Sequence, residues 1–226
     1  RGPGETGGHM TSITVVTPWY EHQELMAEYN TAICAAGCPD VVIIDNGAAP
    51  RFAPTWAHWY APTWAHYIDP GKNLGYARAS NLGLEMAQTD AVLFLNNDIR
   101  MTSPDWLQSI KDELAPGILV GPELAAPSYT MVDGCHIPYL AGWCLAGMTE
   151  DLRALGGFDE SFEEPAYFGD NDLCLRARRA GMRLVAAPVG LKHLGNVTSR
   201  SMDVSGVSAR NYERYAARAR ELLAVA

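Results

Sequence analysis

The sequence has no apolar run approaching the roughly 20 residues that cross a bilayer, so no transmembrane anchor is expected. It is short of positive charge: 17 Lys and Arg stand against 26 Asp and Glu, for a formal charge of -9. Nucleic-acid binding needs Lys and Arg clustered against phosphates, so that class of partner is set aside. There is no CxxC pair. The five cysteines, Cys34, Cys38, Cys135, Cys144 and Cys174, are odd in number and irregular in spacing. They read as reduced thiols, mostly core, in a cytoplasmic protein, and no further ligands lie near Cys34 and Cys38 to build a zinc site. No G-x-G-x-x-G follows the first predicted strand. Pro18-Trp19-Tyr20 stand there instead, which excludes a Rossmann dehydrogenase. No long linker divides the 226 residues, so one domain is expected, at 11–226. The Gly-rich stretch Arg1 to Met10, ending in Gly-His-Met, reads as an expression-tag remnant.

What is present suits a packed α/β domain. Hydrophobic residues make up 48% and charged residues 19%, a balance that supports a core rather than disorder. Ser12 to Thr17 is a β-branched run predicted to be a buried strand stopping at Pro18. Glu21 to Ala36 has helical spacing, with Leu25, Met26, Tyr29 and Ile33 on one face, and ends at Gly37 and Pro39. Val41 to Ile44 and Ala91 to Leu95 are further buried strands, and a helix from about Arg78 to Ala87 lies between them. Pro104 to Leu114 is a predicted helix capped by Ser103, followed by a short strand at Ile118 to Val120. Ser128 to His136 reads as loop with edge-strand character, and Thr149 to Leu155 as a short helix. Asp170 to Ala180 is amphipathic, with Leu173, Cys174 and Ala177 inward and Arg176, Arg178 and Arg179 outward. A strand at Leu184 to Pro188 and a charged helix at Tyr212 to Leu223 complete the chain. Strand and helix in alternation imply a mostly parallel sheet.

One segment fits no element. Ala53 to Tyr67 contains A-P-T-W-A-H twice with a period of eight. Two copies are too few for a solenoid. The segment is an aromatic loop or hairpin, or else Trp56, Trp59 and Trp64 form a platform for a ring-shaped ligand. Asn196-Val197-Thr198 has the form of a glycosylation sequon, accidental in a cytoplasmic protein.

Three predicted strands end in polar residues: Thr17-Pro18, Asp45-Asn46 and Asn96-Asn97-Asp98. Ligands of parallel α/β sheets bind beyond the carboxyl ends of the strands, so these residues are candidates for one crevice. Asp and Asn are also common turn and cap formers, and each alone could be only that.

In order along the chain stand V-V-T-P-W-Y-E-H, V-V-I-I-D-N-G-A, N-L-G-Y-A-R-A-S-N-L-G-L, A-V-L-F-L-N-N-D-I, A-L-G-G-F-D-E-S-F, F-G-D-N-D-L-C-L-R-A-R-R-A-G and K-H-L-G-N. Together they resemble glycosyltransferase family 2, the nucleotide-sugar transferases with a GT-A fold. The resemblance runs from about Ile13 to Ser199. It implies a Rossmann-like three-layer α/β sandwich with a mostly parallel central sheet.

The resemblance also assigns roles. Thr17, Pro18, Glu21 and Asp45 would hold the nucleobase, and Gly75, Arg78 and Asn81 would close over base and ribose. A carboxylate at Asp45 suits the N3-H of uracil or thymine. Asn96-Asn97-Asp98 matches the DxD-type motif with Asn96 in place of its first Asp. Asp98 would ligate Mg2+ or Mn2+, helped by His193, while Asn96 and Asn97 would contact the nucleotide. Asp170 falls on the acidic position expected for the general base, although Gly169 replaces the acidic residue before it. Glu163 and Glu164 are the reserve bases, and Asp172 reads as a supporting residue. Trp143 would face donor sugar or acceptor, and Trp56 and Trp64 are weaker candidates for the same task. The expectation is an inverting, metal-assisted transfer from a nucleoside-diphosphate sugar to an unidentified hydroxyl, with UDP first and dTDP second. A noncatalytic sugar-nucleotide-binding or scaffold protein is the alternative, motivated by Asn96 and Gly169. A homodimer is left open.

Overall fold

The computed structural model describes residues 11–47, 64–124, 131–164, 167–195 and 205–224. Arg1 to Met10, Trp56, Trp59, most of the duplicated segment and the Asn196 sequon lie outside them.

The strands are β1 (Ile13–Trp19), β2 (Asp40–Asp45), β3 (His66–Ile68), β4 (Ala91–Leu95), β5 (Ile99–Met101), β6 (Ile118–Gly121), β7 (Met131–Val132), β8 (Cys135–His136), β9 (Cys144–Met148), β10 (Arg183–Ala186) and β11 (Leu191–His193). The α-helices are α1 (Met26–Ala35), α2 (Gly75–Met86), α3 (Trp106–Lys111), α4 (Thr149–Ala154), α5 (Gly169–Arg179) and α6 (Ser205–Leu223). Seven strands form one sheet in the order β10-β6-β9-β4-β1-β2-β3. Its pairs are parallel except those of β9, which runs antiparallel to β4 and β6.

The alternation of side chains builds three layers. Val15, Val41, Ile43, Leu93 and Leu95 face Met26, Tyr29 and Ile33 of α1 and Trp106 and Ile110 of α3. Val16, Val42, Ile44, Val92 and Phe94 face Leu84 of α2, Leu152 of α4 and Leu173 and Cys174 of α5. A satellite cluster gathers α6, through Tyr215, Ala216 and Ala219, around Phe162 and Leu175. Strands covered on both faces are continuously apolar, and for that reason β1, β2 and β4 were legible.

The structure extends or corrects several boundaries. β1 runs past Pro18 to Trp19. β4 pairs with it only as far as Val16, so Pro18 has one strand neighbour and its missing N–H is tolerated. The residue before α3 is Asp105, not Ser103, whose hydroxyl accepts the Asp105 N–H at 3.4 Å. Arg176 does not point outward: it is 21% exposed and donates to Asp172, to the Leu155 carbonyl at 2.6 Å and to the Gly157 carbonyl at 2.8 Å. β9 had no strand signal because it reads Cys-Leu-Ala-Gly-Met. Its glycine eases the packing: a Cβ at Gly147 would lie 2.7 Å from a terminal methyl of the buried Leu119, which would have to shift.

The cysteines are reduced, but only Cys144 and Cys174 are buried, while Cys34, Cys38 and Cys135 are exposed. Burial pushes the Cys174 thiol up to about 12. Three thiols are therefore expected to react with a thiol reagent such as Ellman's in the native protein, and all five after denaturation. A native count of one or none would contradict this arrangement.

Candidate active site

The strand order reverses direction between β1 and β4: β2 and β3 add on one side of β1 and β4 on the other. In open α/β sheets that switch point opens the ligand crevice at the carboxyl ends of the strands. Asp45 ends β2 beside Trp19 of β1, and Asn96-Asn97-Asp98 follow β4 on the other side.

On the β2 side, Asp45 is 4% exposed. One oxygen accepts the Gly47 N–H at 3.0 Å and the other the Tyr67 hydroxyl. Burial and this carboxylate push the Tyr67 pKa strongly upward, so Tyr67 stays a donor. The Asn46 side chain clasps the entry of α2, accepting from Leu74 N at 2.6 Å and donating to the Gly75 carbonyl at 3.0 Å. Gly75 opens α2 at a φ of +79°, and a Cβ there would meet Glu164 at 2.1 Å. Only glycine fits.

On the β4 side, Asp98 is 6% exposed and lies 3.0 Å from Nε2 of His193. β5 and β11 pair antiparallel, Ile99 opposite His193, and so join residues 95 positions apart. Adjacent ligands of an octahedral ion with bonds of about 2.1 Å sit about 3 Å apart, and this pair has that spacing. Among the described residues no cluster of three His, Cys, Asp or Glu side chains could hold a metal. Asp98 and His193 thus fit an ion that takes its other ligands from a diphosphate and water, as Mg2+ does. Asn97 is buried beside them, and among the described residues its amide nitrogen has no hydrogen-bond partner.

Gly142 and Trp143 link these groups. The Trp143 carbonyl accepts Asn96 N–H at 2.9 Å. Its ring stacks on His193, with centroids 4.9 Å apart and planes 3° from parallel. The Gly142 carbonyl accepts the Tyr76 hydroxyl at 2.5 Å, and the Gly142 N–H donates to Asp170 Oδ2 at 2.8 Å. Asp170 Oδ1 accepts the Asn171 N–H at 3.0 Å. Burial raises the Asp170 pKa above the ordinary Asp value, and these backbone bonds partly oppose the rise. The Asp170 carboxylate, the Asp98–His193 pair and the Asn96 turn therefore meet at two consecutive residues.

Other candidates are committed elsewhere. The Thr17 hydroxyl turns inward to Tyr29 at 2.8 Å, and Pro18 beside it is buried. Glu21 is exposed at a φ of +53°, its carbonyl accepting the Trp19 indole N–H at 2.8 Å. The Asn81 amide pins the Phe158 backbone, at 2.8 Å in both directions, and Arg78 pairs with Glu160 at 3.4 Å. Glu163 is held by Arg210 at 2.7 Å, and Glu164 accepts Ala77 N–H at 2.9 Å in the first turn of α2. Neither reserve base is free. Asp172 is fully buried between Arg176 and Arg218. Trp64 is 40% exposed, and Trp56 lies outside the described residues. Sequence reading had Asn46 among the crevice candidates as a polar strand end, but it gave no role to Tyr67 or Tyr76, whose hydroxyls donate to Asp45 and to the Gly142 carbonyl.

The model of the family described as Glycosyl transferase family 2 matches residues 14–117. Trp143, Asp170 and His193 lie beyond the matched span. The uncharacterized protein Rv1525 of Mycobacterium tuberculosis is 28% identical over 184 residues, covering 72% of this chain and 66% of its own length. The uncharacterized protein y4gI of Sinorhizobium fredii is 22% identical over 214 residues, covering 78% of this chain and 23% of its own. The chain thus spans less than two thirds of these curated relatives. Among solved structures, the mannosyltransferase PcManGT from Pyrobaculum calidifontis in complex with GDP-Man and Mn2+ superposes with a TM-score of 0.62 at 19% identity, over 83% of this chain and 59% of that one. GalNAc-T7 with UDP, GalNAc and Mn2+ gives 0.71 at 13% identity, over 92% and 48%. With the motif order, the strand topology and the structural likeness in agreement, residues 14–117 match the family described as Glycosyl transferase family 2 and the chain has the fold of GT-A glycosyltransferases.

Proposed function

We propose that the protein transfers a sugar from a nucleoside-diphosphate donor to an acceptor hydroxyl, with inversion at the anomeric carbon. The observation that carries this reading is the single segment Gly142-Trp143, which holds the Asp170 carboxylate through one residue and the His193 ring through the next. Asp170 accepts the proton of the attacking hydroxyl, because a sugar hydroxyl is a poor nucleophile until that proton is taken. One in-line displacement with one base inverts the centre. Asp98 and His193 would hold a divalent ion, which when bound would supply positive charge against the departing diphosphate. Both solved structures are complexes with Mn2+, which supports a divalent metal, but their nucleotides differ, GDP-Man and UDP. The choice of base therefore rests on Asp45, which suits the N3-H of uracil first and thymine second. The noncatalytic alternative draws on Asn96 and Gly169. The built environment of Asp170, a carboxylate raised by burial and aimed by backbone donors, favours catalysis.

The test is a thermal-shift panel of UDP, dTDP and GDP, each with Mn2+, Mg2+ or EDTA, followed by donor hydrolysis. UDP with Mn2+ is expected to raise Tm. At a hundredfold excess over Kd the stabilisation is about 2.7 kcal/mol, and EDTA should remove most of it. No shift with any nucleotide would overturn the reading. A shift without hydrolysis or transfer would favour the binding protein.

A further inference from the structure

We propose that Trp143 is a positioning residue for metal capture: its indole face sets the plane of the His193 imidazole so that Nε2 addresses the same point in space as Asp98. The inference rests on the reading of Asp98 and His193 as the metal pair, and goes beyond it to a residue that is not itself a metal ligand.

His193 is the last residue of a three-residue strand in a two-stranded sheet. Its side chain is 25% exposed, and its Nε2 faces Asp98 at 3.0 Å. The last torsion of an imidazole is intrinsically broad, and a contact at one ring atom leaves the plane of the ring loosely defined. The coplanar indole removes that freedom, since rotating the imidazole out of a plane 3° from parallel would separate or collide the two rings. Trp143 can impose the plane because it is itself fixed. It is half-buried and packs on the cluster between the sheet and α1, and its carbonyl holds Asn96 N–H at 2.9 Å. The same residue thus restrains the turn that carries Asp98 and the ring that faces it. Metal-ligating histidines are commonly oriented by a hydrogen bond from a neighbouring group, and loss of such support typically costs 10- to 100-fold in metal affinity. Here the orienting contact is a ring face. A flat aromatic side chain should then substitute for Trp143, and an aliphatic one of useful volume should not.

The experiment measures Mn2+ binding in the presence of saturating UDP, by the loss of the free-ion EPR signal. Trp143→Leu is expected to raise the apparent Mn2+ Kd about 10-fold or more. Trp143→Phe should stay much closer to the unaltered protein, and the UDP affinity measured in EDTA should be the same in all three. His193→Ala is the control. If His193→Ala and Asp98→Asn leave Mn2+ binding unchanged, the metal reading itself fails. If they weaken it and Trp143→Leu does not, or if the Phe and Leu variants fall equally, the positioning role is overturned and the metal pair stands. A second measurement needs no variant at position 143. In the unaltered protein loaded with Mg2+ and UDP, the His193 ring protons, assigned by comparison with His193→Gln, should stay shielded by the indole ring current. Their return to ordinary shifts on loading would also overturn the proposal.

Discussion

Replacing Asp170 by Asn is expected to lower sugar transfer by about 10²- to 10⁴-fold while UDP binds as before. The carboxylate sits in the first turn of α5, with one oxygen on Gly142 N–H and the other on Asn171 N–H. Two backbone donors fix its direction and leave each oxygen a lone pair for the acceptor hydroxyl. Burial raises its pKa, and the donors limit the rise. A raised carboxyl is a stronger base when ionised, so the environment favours proton abstraction. The sign for activity follows: the protonated form is inactive, and transfer should rise with pH through a limb lying above the ordinary Asp range. The sign for stability is opposite. A raised folded pKa means this group costs stability as pH rises and it ionises. Asn removes the titrating group and with it the acid limb. It also presents an NH2 where one of two N–H donors expects an oxygen, so a modest loss of stability is expected beside the kinetic effect. Initial rates between pH 4 and 8, with UDP affinity measured in parallel, decide the matter. Near-normal transfer by Asp170→Asn would remove it from the role of base.

The sequence carried the parts of the fold that burial writes into residue order. Val41 to Ile44 and Ala91 to Leu95 are apolar without alternation because helices cover both faces. The three-residue strands His66–Ile68, Ile99–Met101 and Leu191–His193 are too short to show a period of two, and they form because longer neighbours offer an edge. β9 was illegible for a different reason: small residues ease the packing where Gly147 crosses Leu119, and they carry no strand preference. For the site, the strand-end polar residues were legible as a set, since parallel topology brings such ends together. The approach of His193 to Asp98 was legible only through the resemblance, because a pairing across 95 residues leaves no local trace. Backbone partners were not legible at all. Gly142 matters through its N–H and carbonyl, which every glycine has, and Asn81 looks like a ribose contact in sequence yet pins Phe158 in the fold.

The largest stability effect is expected from Arg218→Ala, a loss of about 3 kcal/mol, or about 6 to 12 °C in Tm for a domain of this size. Arg218 reaches from α6 to two carboxylates: Nη1 donates to Asp172, and Nη2 donates to Asp159 at 2.7 Å. Its guanidinium also lies 6.0 Å from the Phe162 ring centroid. Asp172 has no exposed surface. Removing one partner of a buried charge is costly because the charge left behind cannot regain its water. Arg176 still holds the other Asp172 oxygen at 2.7 Å, which places the loss at the lower end of the range for buried pairs. The pH dependence identifies the mechanism. Burial tends to raise the Asp159 pKa, but bonds from Ser161 and Arg218 outweigh it and bring the carboxyl down to about 2. A depressed folded pKa contributes stability that is present above the unfolded Asp value of about 3.9 and is lost as pH falls toward 2. Arg218→Ala should therefore lose most stability at neutral pH and show a shallower decline between pH 4 and 2. Chemical denaturation at pH 7 and pH 3 separates this from simple loss of packing, which would shift both curves equally. The same bridge spans α6, the segment at Asp159 and the first turn of α5, so the helix that carries Asp170 should loosen with it. Protection of the Asn171 and Asp172 amides from hydrogen exchange should fall in Arg218→Ala more than that of the central strand β4, and equal loss in both would mean that the bridge supports the whole domain rather than the helix bearing the base.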